Sequence, residues 1–233
     1  MHNKDNDISI LEHKGHRERL KERFRKSKGK GFSDYEILEL ALFYVIARRD
    51  TKILSKLLLK RFNSLSGVFF AERSELSTVN GIGEATIDYL HLIADIVIRV
   101  CLPIETEKIN ILSDWVTVLR YCQLTMGSKT REVFRVLFLN KKNTLIADEF
   151  FDIGTVDRIT IYPREIARYS LIHGAIAIIM VHNHPSGDSS PSKEDVIMTQ
   201  KVVDALASIN VVVHDHIIVS KNSHFSFRSA NLI

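Results

Sequence analysis

The segment that most constrains the fold of this chain runs from residue 175 to residue 195. It begins with seven apolar residues, Ala175–Val181, which are rich in β-branched side chains and too few to span a membrane. Such a run predicts a buried strand. A loop with two prolines and a glycine then turns the chain, and Ser192 has the character of a helix N-cap. The segment therefore predicts a strand, a loop and a helix in succession, as found in layered α/β and α+β domains.

Side chains of a metal-ligating type stand at both ends of this loop. His182 and His184 follow the predicted strand, where residues i and i+2 point to the same face, so both imidazoles can reach one ion. Asp195 lies on the first turn of the predicted helix and carries a carboxylate back towards them. Two histidines and one carboxylate, with a position left for water, form the composition of a catalytic zinc site. The pattern predicts one Zn²⁺ per chain.

Ser192 and Asp195 also have a purely structural interpretation. A serine at the N-cap and an acidic residue three positions later are a common way to begin a helix, and the carboxylate also favours the helix dipole. The two interpretations are compatible, because a capped helix start would hold the Asp195 carboxylate rigidly. The metal interpretation is favoured by the conjunction of His-x-His, Ser and Asp within one short segment.

The rest of the second half of the chain also alternates between helical and strand patterns. The predicted elements are a helix from 113 to 127, strands at 133–139 and 143–150, a helix at 164–173, a helix at 192–209, and strands at 211–219 and 224–227. Antiparallel hairpins alternate here with helices, which predicts an α/β or α+β layered sheet.

The segment His182-Asn183-His184-Pro185, together with Ser192 and Asp195, resembles the JAMM motif of the JAB/MPN metalloprotease superfamily. The whole segment from His182 to Asp195 is similar to the corresponding motif of the RadC branch of that superfamily. The similarity extends over nearly the whole chain and includes residues 15–20, 48–52, 81–85, 162–166, 215–216 and 226–227. It implies a small all-helical N-terminal domain followed by a JAB/MPN (cytidine-deaminase-like) layered mixed β-sheet domain. It also implies zinc-dependent cleavage of a peptide or isopeptide bond by activated water.

A hydrolase of this kind needs a base, and the resemblance implies a glutamate at the start of the strand that follows the domain's first helix. Glu132 fits this placement better than Glu149, which ends the partner strand, and we favour Glu132 with Glu149 as the alternative. Ser192 is the candidate to donate a hydrogen bond to the developing oxyanion.

A second His-x-His pair, His214 and His216, lies within a predicted strand. No carboxylate follows it at a useful spacing, so we interpret it as structural or as support for the metal ligands. The family usually shows an apolar residue where His214 stands.

The N-terminal part of the chain carries a basic segment. Nine Lys or Arg residues stand against two Glu between Lys14 and Lys30, although the net charge of the chain is only +4. The segment is either a solvated helix followed by a flexible loop or a surface that contacts phosphate. On the second interpretation the candidate contacts are Arg17, Arg19 and Lys21.

The segment Gly81-Ile82-Gly83 precedes an apolar-periodic helix and resembles a helix-hairpin-helix turn. Such a turn exposes backbone N–H groups that can hold a DNA phosphate without reading sequence. Ile87 stands where a small residue normally lets the two helices approach, so a purely structural hairpin is the alternative.

A length of 233 residues suits one large domain or two small ones. Pro103 closes a predicted helix in a polar stretch, so we predict a helical domain over residues 1–104 and a JAB/MPN zinc domain over 105–233. The apolar runs are shorter than the ~18 residues of a membrane span, and Met1 is followed by polar sequence. We therefore expect a cytoplasmic protein with no membrane partner.

Two hypotheses of function follow. The first is a zinc-dependent metallohydrolase that acts on a protein or peptide substrate. The second is a DNA-repair-associated factor that binds DNA without sequence preference, in which the zinc site is structural or nuclease-like. The sequence leaves open whether the chain is an enzyme, which metal it prefers between zinc and manganese, and its oligomeric state.

Overall fold

The computed structural model describes residues 4–47, 49–101, 115–151 and 162–233, with the side chains of residues 4–14 and 101 excepted. The chain divides into two compact units, residues 1–96 and 97–233. The boundary predicted after residue 104 lies outside the described residues and stays a prediction. None of the helices in the described part is long and apolar enough to cross a membrane.

The N-terminal unit is built from helices. In chain order they are α1 (Lys4–Ser27), α2 (Asp34–Leu42), α3 (Lys52–Phe62), α4 (Leu65–Phe69), α5 (Arg73–Ser77) and α6 (Glu84–Cys101), the last of which continues past residue 96. Leucines of α2, α3 and α5 and Ile87 and Leu90 of α6 form one buried core. Helix α2 begins with a capping box formed by Ser33 and Glu36. Helix α5 was not predicted, since a single turn shows no apolar periodicity.

The second unit contains a five-stranded mixed sheet. Its elements are α7 (Trp115–Met126), β1 (Phe134–Leu139), β2 (Leu145–Phe151), α8 (Pro163–His173), β3 (Ala177–Asn183), α9 (Lys193–Ala207), β4 (Val212–Val219) and β5 (His224–Ser226). The strand order is β2-β1-β3-β4-β5. Strands β3 and β4 are parallel, and every other neighbouring pair is antiparallel. The predicted α+β architecture is confirmed.

Helices cover both faces of this sheet, because alternate residues of each strand point to opposite sides. Leu137, Ile179 and Ile217 pack with residues of α7 on one face. Val136 and Met180 pack with residues of α8 and α9 on the other face. All seven residues of β3 are buried, as the apolar run before the histidines predicts for a central strand.

The connection from β3 to β4 through α9 decides where a site can form. Because β3 and β4 are parallel, their carboxyl ends lie at the same edge of the sheet, and α9 begins after that edge. Strand β1 is antiparallel to β3 and starts at this edge, with Phe134 opposite His182. Ligand sites of α/β sheets are commonly found outside the carboxyl ends of parallel strands.

Candidate metal centre

Three side chains meet at the carboxyl end of β3. The Nε2 atoms of His182 and His184 are 3.0 Å apart. Asp195 Oδ1 lies 3.3 Å from His182 Nε2, and Asp195 Oδ2 lies 3.6 Å from His184 Nε2. Two ligand atoms that each lie about 2.0–2.1 Å from one tetrahedral zinc ion are ~3.3 Å from each other. The separations therefore suit a small tetrahedral cation, and no other such cluster of three metal-ligating side chains occurs in the part of the chain that the structure describes.

The loop after β3 fixes the orientation of His184. Its Nδ1 lies 2.8 Å from the backbone carbonyl oxygen of Asp188. A carbonyl oxygen only accepts hydrogen bonds, so His184 Nδ1 carries the hydrogen and Nε2 presents its lone pair to the cluster. The loop is held in shape by Gly187 at φ +90° and by the bond from Ser190 N to Asp188 Oδ1 at 2.9 Å. The loop thus orients the His184 ring through the backbone carbonyl of Asp188, with Nε2 facing the other two ligands.

Asp195 is held at the start of α9 by the helix cap. Ser192 donates from its backbone N at 2.8 Å and from its hydroxyl at 2.7 Å, both to Asp195 Oδ2, and Asp195 N donates to Ser192 Oγ at 3.1 Å. Oδ1 is left to face His182. The structural and the ligand interpretations therefore hold for the same residue, because Oδ2 anchors the helix start and Oδ1 faces His182.

The cluster is buried on one side and open on the other. The side chain of His182 is 4% exposed, while those of His184 and Asp195 are 14% and 17% exposed. Burial lowers the pKa of His182 to about 4, with Asp195 opposing and His184 adding to this shift, so the imidazole is neutral at pH 7. Two imidazoles and a carboxylate are a donor set that suits zinc. The residues present fit such an ion.

Glu132 lies in the loop just before β1 and is exposed. Glu132 stands two residues before Phe134, the first residue of β1, which lies opposite His182 in the register of β1 and β3. Asn183 holds this loop: its Oδ1 accepts from Val133 N at 2.8 Å, and its Nδ2 donates to the carbonyl oxygens of residues 129 and 131. The residue between the two histidines thus fixes the segment that carries Glu132.

The alternative base, Glu149, is directed elsewhere. It lies on β2 opposite Val136, and its Oε1 is 3.2 Å from His173 Nε2 at the end of α8. The His173 ring lies 5.0 Å from that of Phe138, towards the other end of β1. The geometry therefore favours Glu132, whose role as the base stays a prediction.

The second His-x-His pair does not form a comparable cluster. His214 Nε2 lies 2.8 Å from Asn143 Oδ1 in the β1–β2 hairpin. His216 is fully buried, and its Nε2 lies 2.8 Å from His182 Nδ1. Burial lowers the pKa of His216 well below its ordinary value. One member of the pair therefore supports a metal-site histidine, and the other ties the strand to a neighbouring hairpin.

The three basic candidates for phosphate contact differ in how far they are engaged. The Arg17 guanidinium donates to the carbonyl oxygens of residues 46, 47 and 49, at 2.7, 2.8 and 2.6 Å. Lys21 Nζ lies 3.2 Å from Glu18 Oε1. Arg19 is exposed and pairs with no acidic side chain of the described residues. Of the three, Arg19 is therefore the most available to an anion.

The glycine turn before α6 is part of the core of its unit. Gly81 has φ +95°, Ile82 is buried, and the Gly83 carbonyl accepts the first hydrogen bonds of the helix. Two acidic residues follow on the first turns of α6, Glu84 and Asp88, and both pair with Arg73. The packing accounts for the turn, and its contact with DNA stays a prediction.

Some residues at the centre were not foreseen as parts of it. Asn183 could have been suspected, because the middle residue of His-x-His must face the opposite, buried side, where an amide needs partners. Thr199 lies one turn after Asp195 on α9, and it contacts His216. The Asp188 contribution comes from a backbone carbonyl, for which a sequence carries no signal.

The second unit also matches a known family. The model of the RadC-like JAB domain matches residues 112–232, just over half of the chain. The matched region contains the metal cluster, the loop with Glu132 and both histidine pairs. The chain belongs to the RadC-like JAB domain family.

Proposed function

We propose that this protein is a zinc-dependent hydrolase of the JAMM type that cleaves a peptide or isopeptide bond. The observation that carries the proposal is the convergence of His182 Nε2, His184 Nε2 and Asp195 Oδ1 at a partly exposed edge of the sheet. The two nitrogens are 3.0 Å apart, and the carboxylate oxygen lies 3.3 Å from His182 Nε2. Membership of the RadC-like JAB domain family supports the same assignment.

Each residue has a defined task in this reaction. A zinc ion, when bound, would polarise the scissile carbonyl and make water a better nucleophile. Glu132 takes the proton from the attacking water and delivers it to the leaving amine. The Ser192 hydroxyl donates to the oxyanion. The hydroxyl can leave Asp195 Oδ2 without freeing that oxygen, because the backbone N–H of Ser192 donates to it as well.

The test compares the parent chain with Glu132→Gln. Both are loaded with zinc and assayed against quenched fluorescent peptides and branched peptides with an isopeptide bond to a lysine Nζ. The amide of glutamine cannot act as a base, so we expect Glu132→Gln to keep its zinc and to lose turnover. Glu149→Gln serves as the matched control and should remain active.

A zinc-replete Glu132→Gln protein that is as active as the parent would make Glu149 the base to test. If both variants retain full activity, the hydrolase assignment of this site fails.

A second candidate function is sequence-independent DNA binding, with the zinc site structural or nuclease-like. The observation that favours it is a set of exposed cations without an ion pair to the described residues, one within α1 and two in the loop after it. They are Arg19, Lys28 and Lys30. Such cations would bind phosphates weakly and with a strong dependence on salt.

The DNA test uses fluorescence anisotropy with single-stranded and duplex DNA. Reversal of the three charges to Glu should weaken binding and reduce the salt slope by about 3, one unit for each phosphate that the variant no longer binds. Reversal of Lys141 and Lys142, two exposed cations of the β1–β2 hairpin, is the control for net charge. Undetectable binding at low salt would remove this candidate.

A further inference from the structure

A buried chain of hydrogen bonds leads from α9 through β4 to the metal-site histidine on β3. Thr199 Oγ1 lies 2.6 Å from the backbone carbonyl oxygen of Asp195 and 2.6 Å from His216 Nδ1. His216 Nε2 lies 2.8 Å from His182 Nδ1. Thr199 is 1% exposed and His216 is fully buried, so water does not compete for these contacts.

Thr199 determines which atom donates the hydrogen in each of these hydrogen bonds. A hydroxyl has a single hydrogen to donate, and a carbonyl oxygen can only accept. Two oxygen atoms 2.6 Å apart repel each other unless a hydrogen lies between them. The Thr199 hydroxyl therefore donates to the Asp195 carbonyl. It must then accept from His216, so the hydrogen of that contact is on His216 Nδ1.

The next step follows from the surroundings of His216. Its ring stacks on Phe227 with 4.6 Å between the centroids and meets the edge of Phe134 at 5.8 Å. Neither of its ring nitrogens contacts a carboxylate of the described residues. A charged imidazole here would be buried without a counter-ion, so the ring is neutral and its single N–H is at Nδ1. His216 Nε2 is then an acceptor, and His182 Nδ1 must donate to it.

We propose that Thr199 and His216 are positioning residues that fix the tautomer of His182, so that its Nε2 lone pair faces the metal position. The proposal rests on the metal site of the proposed function. Helix α9 then contributes twice, because Asp195 supplies a carboxylate to the site and its backbone carbonyl ends the chain that orients His182. Second partners of metal-bound histidines are commonly carboxylates, single carbonyls or water. Here the acceptor is a neutral histidine that is itself oriented by a threonine.

The Thr199→Val variant separates this proposal from a purely packing role for the two residues. Thr199→Val keeps the shape of the side chain and removes its hydroxyl. Without an acceptor at Nδ1, the hydrogen of His216 is better placed on Nε2, facing His182. His182 would then carry its own hydrogen on Nε2, where it opposes a metal. Zinc affinity should fall by about 10- to 100-fold, the usual effect of removing a second partner of a ligand.

The experiment reads the tautomers directly. Long-range ¹H–¹⁵N NMR spectra of the full-length, metal-free protein report which ring nitrogen of His182 and of His216 carries hydrogen. We expect Nδ1–H on both rings in the parent and in Thr199→Ser, and a shift of the hydrogen to Nε2 in Thr199→Val. Zinc affinity is measured on the same proteins by competition with a chromophoric chelator.

The control is His214→Ala, which removes the other histidine of the same strand and its hydrogen bond with Asn143. It should change neither the His182 tautomer nor zinc affinity. Nε2–H on His182 in the parent would overturn the proposal, as would a Thr199→Val protein with unchanged tautomer and affinity. If Thr199→Val does not fold, the parent spectrum decides. A protein with Nδ1–H on His182 that binds no zinc would contradict the proposed function, while the assignment of the hydrogen-bond chain from Thr199 to His182 would stand.

Discussion

The two His-x-His pairs of this protein have the same spacing and lie on adjacent parallel strands, yet they have different surroundings. His182 and His184 stand at the carboxyl end of β3, with the ligand nitrogens 3.0 Å apart and Asp195 beside them. His214 and His216 lie within β4 and bind separate partners, an asparagine and a histidine. A spacing of two residues is therefore compatible with a metal site but does not make one.

The register of the sheet explains the difference. Strands β3 and β4 pair regularly except between Ile178 and Ile179, which pair with Val213 and Asp215, so His214 is an extra residue on its strand. A bulge interrupts the alternation of side chains between the two faces. His214 can then turn to the hairpin while His216 points to the buried side. The first pair has no such interruption and is followed by a loop and a helix that bring a carboxylate back.

The middle residues of the two pairs, Asn183 and Asp215, also differ in the segments that they bind. Asn183 holds the loop that carries Glu132, and Asp215 accepts from His216 N, Arg228 N and the Ser226 hydroxyl, at 2.7, 3.0 and 2.6 Å. The first middle residue serves the site, and the second anchors the C-terminal end of the chain to β4. The following predictions test this division of roles.

The largest effect is expected for Asp195→Ala. The change removes the only carboxylate of the cluster and the cap contacts of α9, so zinc and turnover should be lost together. Metal analysis and a peptidase assay on one preparation measure both. A variant that keeps zinc at the parental level would exclude Asp195 as a ligand.

The next effect is expected for Ser192→Ala, which keeps the backbone N–H bond to Asp195 Oδ2 and removes the hydroxyl. Turnover should fall by about 100-fold, comparable to the removal of one oxyanion donor, while zinc is retained. Ser190→Ala, a change of the same size in the neighbouring loop, is the control. Equal decreases in both variants would assign the effect to the loop rather than to the oxyanion.

Asn183→Ala should separate the catalytic loop from the metal. The variant lacks the three hydrogen bonds that hold the loop with Glu132, and a misplacement of about 1 Å can cost up to 100-fold in rate. Turnover should fall by about 10- to 100-fold with zinc stoichiometry unchanged, as measured by steady-state kinetics and metal analysis. Parental kinetics in this variant would mean that the loop is placed without Asn183.

The smallest functional effect is expected for Asp215→Ala, the corresponding change in the second pair. It leaves the buried backbone N–H of His216 and the part-buried N–H of Arg228 without their acceptor and should lower the free energy of unfolding by about 2 kcal/mol. Urea unfolding measures this decrease, and metal analysis should show parental zinc. Loss of zinc from the folded variant would place Asp215 within the metal centre.

Much of the second unit follows from its sequence, since local patterns decide it. The apolar run before His182 predicts the central strand, and the Ser192 and Asp195 cap predicts the start of α9. The convergence of the three ligands then follows from a two-residue period and a short loop. These arguments use neighbours in the chain, which is why they succeed.

Contacts between distant segments could not be predicted in the same way. Asn183 binds backbone atoms about fifty positions earlier, and the contact of His216 with His182 depends on a parallel pairing and its bulge. Charge patterns have the same weakness. The charge pattern made Arg17 a candidate for phosphate contact. In the structure the Arg17 guanidinium instead donates to backbone carbonyl oxygens in the segment after α2.

The central claim is that the first histidine pair, and not the second, holds the metal. The direct measurement is elemental analysis of the purified chain, of His182→Ala/His184→Ala and of His214→Ala, each dialysed against the same zinc buffer. The account predicts about one zinc per chain in the parent and in His214→Ala, and none above background in the double variant. A parent without zinc, or a double variant with as much zinc as the parent, would contradict it.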